Sequence, residues 1–360
     1  MEPYLANRFG NPSSVHGPGR EARAALEDAR ARVAEALGAR REEIVFTGGG
    51  TESDNLAMLG RWRAVRSGSV ILSAIEHSAV RESAAQAARE GAEVATVAVD
   101  EAGRLDVAAL EELLDGPVVV VSVMWANNEV GAVQPVDEVA RLCDARGATF
   151  HTDAVQAVGH IPVSVERTPC HLLALSAHKF GGPRGVGALF VRSGTDLQPL
   201  LHGGGQESGL RAGTSNVAGA VGLATALDAA LTELEAERSR LGALRDRLQA
   251  RLLAAVPDLD VNAASTERLP HILSVGLNGI EPDLLLPSLD LEGLAVSSGS
   301  ACQSGSHSPS HVMVAMGRRH DAVIRFSMGW TTTETEMERA VELFVRTLDR
   351  VRAATAGGLA

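Results

Sequence analysis

A lysine at residue 179 lies just past a short apolar run, Leu172-Leu173-Ala174-Leu175, and Gly181-Gly182-Pro183 follows it closely. A run of that length before turn residues predicts a buried strand ending near the lysine. Burying an ammonium is costly, so a lysine at the mouth of a core has a lowered pKa and becomes an amine able to form a Schiff base with a carbonyl. Taken singly, the same residue would serve as well as a surface lysine opening a loop. Its neighbours in the chain argue for more. Gly48-Gly49-Gly50-Thr51-Glu52 lies where a strand gives way to a helix. Bare backbone, free N–H groups at the helix start and the Thr51 hydroxyl would cradle a phosphate, although the glycines alone fit a plain tight turn. No Gly-Lys-Ser/Thr follows, so this is not a Walker loop. His151-Thr152-Asp153-Ala154-Val155-Gln156 sets an acid at a strand end. There a carboxylate could keep a heterocyclic nitrogen protonated, as pyridoxal chemistry requires, or simply cap a helix.

Further polar residues fall at comparable places. Glu76-His77 ends one strand and Asn127-Asn128-Glu129 follows another. His77 could stack on a planar ring and Asn128 could donate to a ring oxygen, against the ordinary roles of structural histidine and turn. Cys302 sits in a hydrophilic stretch, Ser297-Ser298-Gly299-Ser300-Ala301-Cys302-Gln303-Ser304-Gly305, suited to a nucleophile that must travel. Cys143 and Cys170 stand in more apolar surroundings and are assigned to packing. Cys302, His307 and His311 faintly resemble a zinc knuckle but lack a second cysteine, so no resident metal is expected. Arg325, inside the apolar strand Ile324-Arg325-Phe326-Ser327, needs an anion; its planar fork suits a substrate carboxylate, with an internal ion pair as the alternative.

Strands and helices in strict turn are expected to position these groups. A turn-rich loop (Phe9 to Gly19) precedes a helix from about Arg20 to Leu37, with Leu26, Ala29, Val33 and Leu37 on one face and Gly38 as its stop. Strands at 43–46, 69–72, 93–97, 118–123 and 149–151 alternate with helices at 51–66, 79–90, 107–114 and 136–146. That order predicts a largely parallel sheet with helices on both faces and ligands beyond the carboxyl ends of its strands. Residues 218–256 read as two helices end to end, charged in the middle, leading to a smaller domain. Its expected strands lie near 272–277, 294–296 and 323–327, with a helical pattern interrupted by Pro287 at 282–291 and a closing helix from Glu334 to about Arg352. The division expected is a large domain over residues 1–235 and a small one over 236–360, which carries Cys302.

The chain has 360 residues, 45% hydrophobic and 22% charged, enough for two domains. A net charge of −12 with interleaved signs argues against nucleic acid. The three scattered cysteines favour a reducing compartment over a disulfide framework. The N-terminus does not read as a signal peptide, and no apolar run suits a bilayer, so a soluble cytoplasmic protein is expected.

In this order, the stretches Phe9-Gly-Asn-Pro-Ser-Ser, Phe46-Thr-Gly-Gly-Gly-Thr-Glu-Ser-Asp-Asn, Glu76-His77, Asn127-Asn-Glu-Val-Gly, His151-Thr-Asp-Ala-Val-Gln, Ser176-Ala-His-Lys, Gly203-Gly-Gly-Gln-Glu with Arg211-Ala-Gly-Thr, Ser297-Ser-Gly-Ser-Ala-Cys and Ile324-Arg-Phe-Ser span nearly the whole chain. The chain thereby resembles the pyridoxal-phosphate cysteine desulfurases of aminotransferase class V, of the housekeeping and nitrogen-fixation type. The resemblance implies an α/β fold of the pyridoxal-phosphate transferase kind (fold type I, aspartate aminotransferase-like), with a large mostly parallel-sheet domain and a smaller α+β domain. It implies that Lys179 bonds the cofactor, Asp153 pairs with the pyridine nitrogen, Gln156 with the ring hydroxyl, and His77 stacks on the ring beside Asn128. Gly50, Thr51, Ser176 and His178 would hold the phosphate, and Thr214 would reach the phosphate of the other subunit of a homodimer. Arg325 would grip the carboxylate of L-cysteine, and Cys302 would take its sulfur, releasing L-alanine. The persulfide would pass to an acceptor protein, an iron–sulfur scaffold or a tRNA-thiolation relay, with Cys302 a possible transient ligand of a cluster in transit.

One departure stands out. Members of that family usually begin with a short strand and a Thr-Thr-Pro turn, where this chain opens Met-Glu-Pro-Tyr-Leu-Ala-Asn-Arg. Weaker turnover is the expectation if that leading segment is absent. Two other functions compete: a class V aminotransferase or selenocysteine lyase, and a truncated, non-catalytic cofactor-binding partner in sulfur transfer. Intact Lys179, Cys302, His77 and Arg325 argue against the last.

Overall fold

A computed structural model of the chain describes residues 1–299 and 310–357. It divides into two compact units, one built from Met1–Ala98, Leu105–Trp125 and Gln134–Leu234, the other from Val99–Arg104, Ala126–Val133 and Glu235–Ala360. Two short segments, 99–104 and 126–133, thus group with the C-terminal part of the chain.

The first unit contains seven strands: β1 (Ile44–Thr47), β2 (Ser69–Ser73), β3 (Glu93–Val97), β4 (Val118–Ser122), β5 (Thr149–Asp153), β6 (Leu172–Ser176) and β7 (Gly187–Val191). Its helices are α1 (Glu2–Ala6), α2 (Gly17–Leu37), α3 (Gly50–Val65), α4 (Ser78–Arg89), α5 (Val107–Leu113), α6 (Val136–Arg146) and α7 (Val217–Thr232). The strands lie in the order β1-β7-β6-β5-β4-β2-β3. Every pair is parallel except the two that β7 makes, with β1 and with β6. One reversed strand therefore leaves β1, β2, β3, β4, β5 and β6 running the same way, with their carboxyl ends on one edge. Strands buried on both faces need continuous apolar runs, and Val119, Val120 and Val121 of β4 are all buried. Met58, Leu59 and Trp62 of α3 and Val80, Ala84 and Ala87 of α4 pack with Val70, Leu72, Val119 and Val120 over one part of the sheet. Gly38 in the left-handed conformation (φ 71°) ends α2, as the sequence predicts.

Two elements of this unit are not anticipated. β7 begins on a glycine after a turn-rich stretch, so its short apolar run carries no periodic signal. α1 has no buried residue, and hence no amphipathic pattern to announce it.

The second unit holds β8 (Asp260–Val261), β9 (Ile272–Leu277), β10 (Ser297–Ser298) and β11 (Ala322–Ser327), all antiparallel, in the order β10-β11-β9-β8. Helices α8 (Leu234–Ala255), α9 (Pro282–Leu291), α10 (His311–Ala315) and α11 (Glu334–Gly357) accompany them. Leu248, Leu252, Leu273, Val275, Ile324 and Leu348 share one core, and Phe326 meets Phe344 edge-on at 5.5 Å. α9 continues through Pro287 because Leu285 and Leu289 are fully buried on either side of it. The strand expected at 294–296 is displaced to Ser297–Ser298, where the backbone pairs with Arg325 and Ile324 while Leu294 and Val296 pack on the core. Among the described residues no single helix is long and apolar enough to cross a membrane.

A buried ion pair ties the loop after β7 back to β1. Arg30 Nη1 and Nη2 donate to Glu207 Oε2 and Oε1 at 2.6 and 2.9 Å, Arg30 Nη1 also donates to the Ile44 carbonyl, and the Phe46 N–H donates to Glu207 Oε2. Glu207 and Ser208 sit at positive φ (48° and 57°), a cost the bidentate pair offsets. Glu207→Ala would strand the guanidinium in the interior, and chemical denaturation should show a loss of about 3–5 kcal/mol. Arg30→Met with Glu207→Leu should recover most of it; a single-mutant loss under about 1 kcal/mol would show that the pair does not anchor the loop.

Candidate functional site

The aligned carboxyl ends of β1, β2, β4, β5 and β6 present Thr47, Ser73, Ser122, Asp153 and Ser176 on one edge of the sheet. Gly187 pairs with Thr47 on one side and Ser176 on the other, which sets the glycine turn after β1 beside the serine that ends β6. A β-carbon at Gly187 would lie 2.5 Å from the Leu175 carbonyl and 2.8 Å from the Cα of Gly49, so only glycine lets these backbones meet. Gly49 has φ 149°, outside the range of ordinary side chains, and a β-carbon on Gly50 would strike Val155 at 2.7 Å. Gly50 then opens the 16-residue helix α3, whose first N–H groups and dipole face the turn. Ser176 Oγ lies 3.0 Å from His178 Nδ1, while His178 is exposed and Thr51 is exposed at the helix start. Such donors could cradle an anion, and they come from the four residues that the family resemblance implies for phosphate: Gly50, Thr51, Ser176 and His178.

Glu52 holds the cradle in shape. Its Oε2 accepts the Gly48 N–H at 2.7 Å and its Oε1 accepts Arg211 Nε at 2.9 Å. Glu52 thereby links the glycine turn to the loop that carries Thr214, itself exposed.

Asp153, the last residue of β5, is buried, and its Oδ1 accepts the Val155 N–H at 2.9 Å. Burial pushes its carboxyl upward, while the neighbouring His77, the Val155 bond and Lys179 pull it back. His77 caps α4, its Nδ1 accepting the Ala79 N–H at 3.1 Å, which leaves Nε2 as the ring nitrogen able to donate. Polar atoms of Asp54, His77 and Asp153 all lie within 4.8 Å of one another. Lys179 lies half-buried in a tight turn, Ala177–Phe180, and its carbonyl accepts from His160 Nε2 at 2.9 Å. Gln156 is half-buried, three residues beyond Asp153.

Among the described residues the second unit contains the candidates Asn128 and Arg325. Arg325, on β11, donates from Nη1 to the Asn128 carbonyl at 2.8 Å, so Asn128 meets the arginine through its backbone. The buried Glu129 accepts from Ser310 Oγ at 2.5 Å. Cys302 and His307 lie outside the described residues. Cys143 and Cys170 are fully buried, and burial pushes both thiols up to about 12, in keeping with packing roles.

The residues fit a pyridoxal-phosphate group. The fit rests on the glycine turn that a β-carbon would fill, the helix start beside Ser176, and a buried carboxylate flanked by a histidine and a lysine. Sequence inspection passes over Asp54, Ser122 and the role of His151. Asp54 stands in the middle of α3 among Leu56, Ala57 and Met58, and an acid on a buried helix face was the available signal.

Comparison with known proteins follows the same direction. The family model for class V aminotransferases matches residues 1–340. The cysteine desulfurase IscS of Dictyoglomus turgidum is 42% identical over 357 residues, covering 98% of this chain and 91% of that protein. The cysteine desulfurase NifS of Azotobacter vinelandii is 45% identical over 346 residues, covering 95% and 86%. Among solved structures, a NifS-like protein superposes with a TM-score of 0.90 at 36% identity, over 97% of this chain and 94% of its own. A NifS-like protein of Rickettsia africae gives 0.86 at 30%, over 97% and 95%.

Glu52→Ala would remove the acceptor of the Gly48 N–H and free Arg211. Titration of apoprotein with pyridoxal 5′-phosphate should then show affinity weakened roughly fivefold to a hundredfold, the equivalent of about 1–3 kcal/mol. Unchanged affinity would mean that the glycine turn keeps its shape without Glu52.

Proposed function

The chain belongs to the class V aminotransferases and, within them, to the cysteine desulfurases, and from that premise we propose that His77, Asp153 and Lys179 form the reaction centre for taking sulfur from L-cysteine. The protein is a pyridoxal-phosphate enzyme of fold type I. The observation that carries the residue assignment is Asp153: a buried carboxylate at a strand end, within reach of His77 and influenced by Lys179.

Bound through Lys179, pyridoxal phosphate supplies an electron sink for the Cα of the substrate. Gly50, Thr51, Ser176 and His178 hold its phosphate, and Asp153 stays ionised against the ring nitrogen. His77 covers the ring, with its orientation fixed by the Ala79 N–H. Gln156 takes the ring hydroxyl, and Asn128 is proposed as a further donor to a ring oxygen. Arg325 binds the carboxylate of L-cysteine with its guanidinium fork. The Lys179 amine would serve as the base that takes the Cα proton. Cys302, as thiolate, attacks the substrate sulfur: the new S–S bond forms as the C–S bond breaks, the electron pair goes to the carbon skeleton, and protonation there yields L-alanine. The sulfur remains on Cys302 as a persulfide for an acceptor protein, an iron–sulfur scaffold or a tRNA-thiolation relay, and Cys302 could ligate a cluster in transit. A cytoplasmic homodimer completes the proposal, with Thr214 reaching the phosphate held by the other subunit.

The test is alanine released from L-cysteine by cofactor-loaded protein. Cys302→Ser should lower it by roughly a thousandfold or more, and Arg325→Ala should raise KM for cysteine about tenfold to a hundredfold. Alanine release untouched by Cys302→Ser would remove Cys302 from the chemistry and favour a lyase of the selenocysteine type.

A further inference from the structure

Behind Asp153 the first unit contains a chain of buried polar side chains to which the reaction above assigns no role. Asp54 is 1% exposed, and His151, Ser122 and Glu76 are fully buried. Asp54 Oδ1 faces His151 Nε2 at 3.5 Å. His151 Nδ1 lies 2.9 Å from Ser122 Oγ, which the parallel register places on the neighbouring strand directly across from His151. Ser122 Oγ donates to Glu76 Oε2 at 3.3 Å, and Glu76 Oε1 accepts the Met124 N–H at 2.6 Å. Four side chains from α3, β5, β4 and the turn after β2 thus form one continuous run. Its Asp54 end lies within 4.8 Å of Asp153 and His77, and His151 and Asp153, two apart on β5, share a face of the strand.

The donor at Ser122 sets the polarity of this run. With Glu76 Oε2 accepting the one hydrogen of Ser122 Oγ, the proton between His151 Nδ1 and Ser122 Oγ belongs to the imidazole. A neutral imidazole then offers a bare lone pair at Nε2, facing Asp54 Oδ1. Among the described residues neither atom has a hydrogen-bond partner. An ionised Asp54 would set two lone pairs against each other there, whereas a protonated Asp54 fills the gap with a hydrogen. We infer that Asp54 is a neutral carboxylic acid that donates to His151 Nε2 and, as a positioning residue, leaves the negative charge of this pocket to Asp153.

The surrounding electrostatics agree. Burial pushes the Asp54 carboxyl well up, and the charges of Asp153 and Glu76 push it further. Burial drives His151 down to about 3, so the ring is neutral as that polarity requires. Asp153 is the carboxylate that receives a backbone N–H and the influence of both His77 and Lys179. Like charges this close in a dry site cannot both persist, and the group with the donors keeps the charge.

The inference deepens the pyridoxal-phosphate assignment and rests on it for its purpose, but the protonation of Asp54 can be read without cofactor. Infrared difference spectra of apoprotein, wild type minus Asp54→Asn, should show the loss of a protonated-carboxyl C=O band that shifts in D2O. In cofactor-loaded protein, Asp54→Asn should keep the visible band and the cofactor affinity, because its amide still offers a hydrogen to Nε2. Asp54→Leu, similar in size but without a donor, should displace the band and weaken cofactor binding roughly tenfold. Absence of a lost carboxyl band from the wild-type-minus-Asn difference would overturn the inference, any band common to both proteins belonging to Glu76. So would an Asn variant whose cofactor band moves as far as that of Leu, the result expected if Glu76 supplied the protons and Asp54 were ionised. Failure of the wild type to bind pyridoxal phosphate would instead refute the cofactor assignment and leave the infrared result standing on its own.

Discussion

An ionised carboxylate in a protein interior persists only where donors and cations compensate for the water it has lost. Asp153 is the carboxylate proposed to carry that charge here, and the groups around it in the first unit oppose the effect of its burial. The Val155 N–H bonds it directly, His77 and Lys179 favour its charged form, and competing carboxyls in the same pocket are driven toward neutrality by burial. Glu76 shows the size of that effect: desolvation carries it up to about 8 although the Met124 N–H and the Ser122 hydroxyl both favour its charged form.

The sheet register turns this local requirement into a site. Reversal of β7 alone brings the glycine turn after β1 beside Ser176 at the end of β6, and Gly187 is the contact that allows it. The pairing of Ser122 with His151 across β4 and β5 builds the support behind Asp153. The groups proposed as phosphate cradle, lysine turn and ring-nitrogen partner therefore come from strand ends of one sheet, where the exposed N–H groups of loops and helix starts are available. Glu52 and the Arg30–Glu207 pair hold the flanking loops to this edge through side chains more than 150 residues apart in sequence.

Much of this was legible in the chain. The continuous valines of β4 announced a strand covered on both faces, and the alternation of strands and helices announced the parallel sheet. β3, α6 and β9 begin and end where their patterns do. What escaped depends on pairing rather than pattern. β10 is two serines held by backbone bonds to β11, while the apolar residues expected to form that strand pack on the core instead. The segment 126–133 groups with residues a hundred or more positions later because Ala132 bridges Arg268 and the Leu269 N–H bonds the Gly131 carbonyl. Asp54, Ser122 and His151 each read as an ordinary polar residue, and only the register places them in one buried run.

The central claim is that Lys179 and Asp153 mark a pyridoxal-phosphate site. Its most direct test is to load the protein with pyridoxal 5′-phosphate, reduce it with borohydride and map the adduct by mass spectrometry. One reduced pyridoxyl-phosphate group per chain, on Lys179 and lost in Lys179→Ala, is the result expected. Labelling spread over other lysines, or unchanged in Lys179→Ala, would contradict the account.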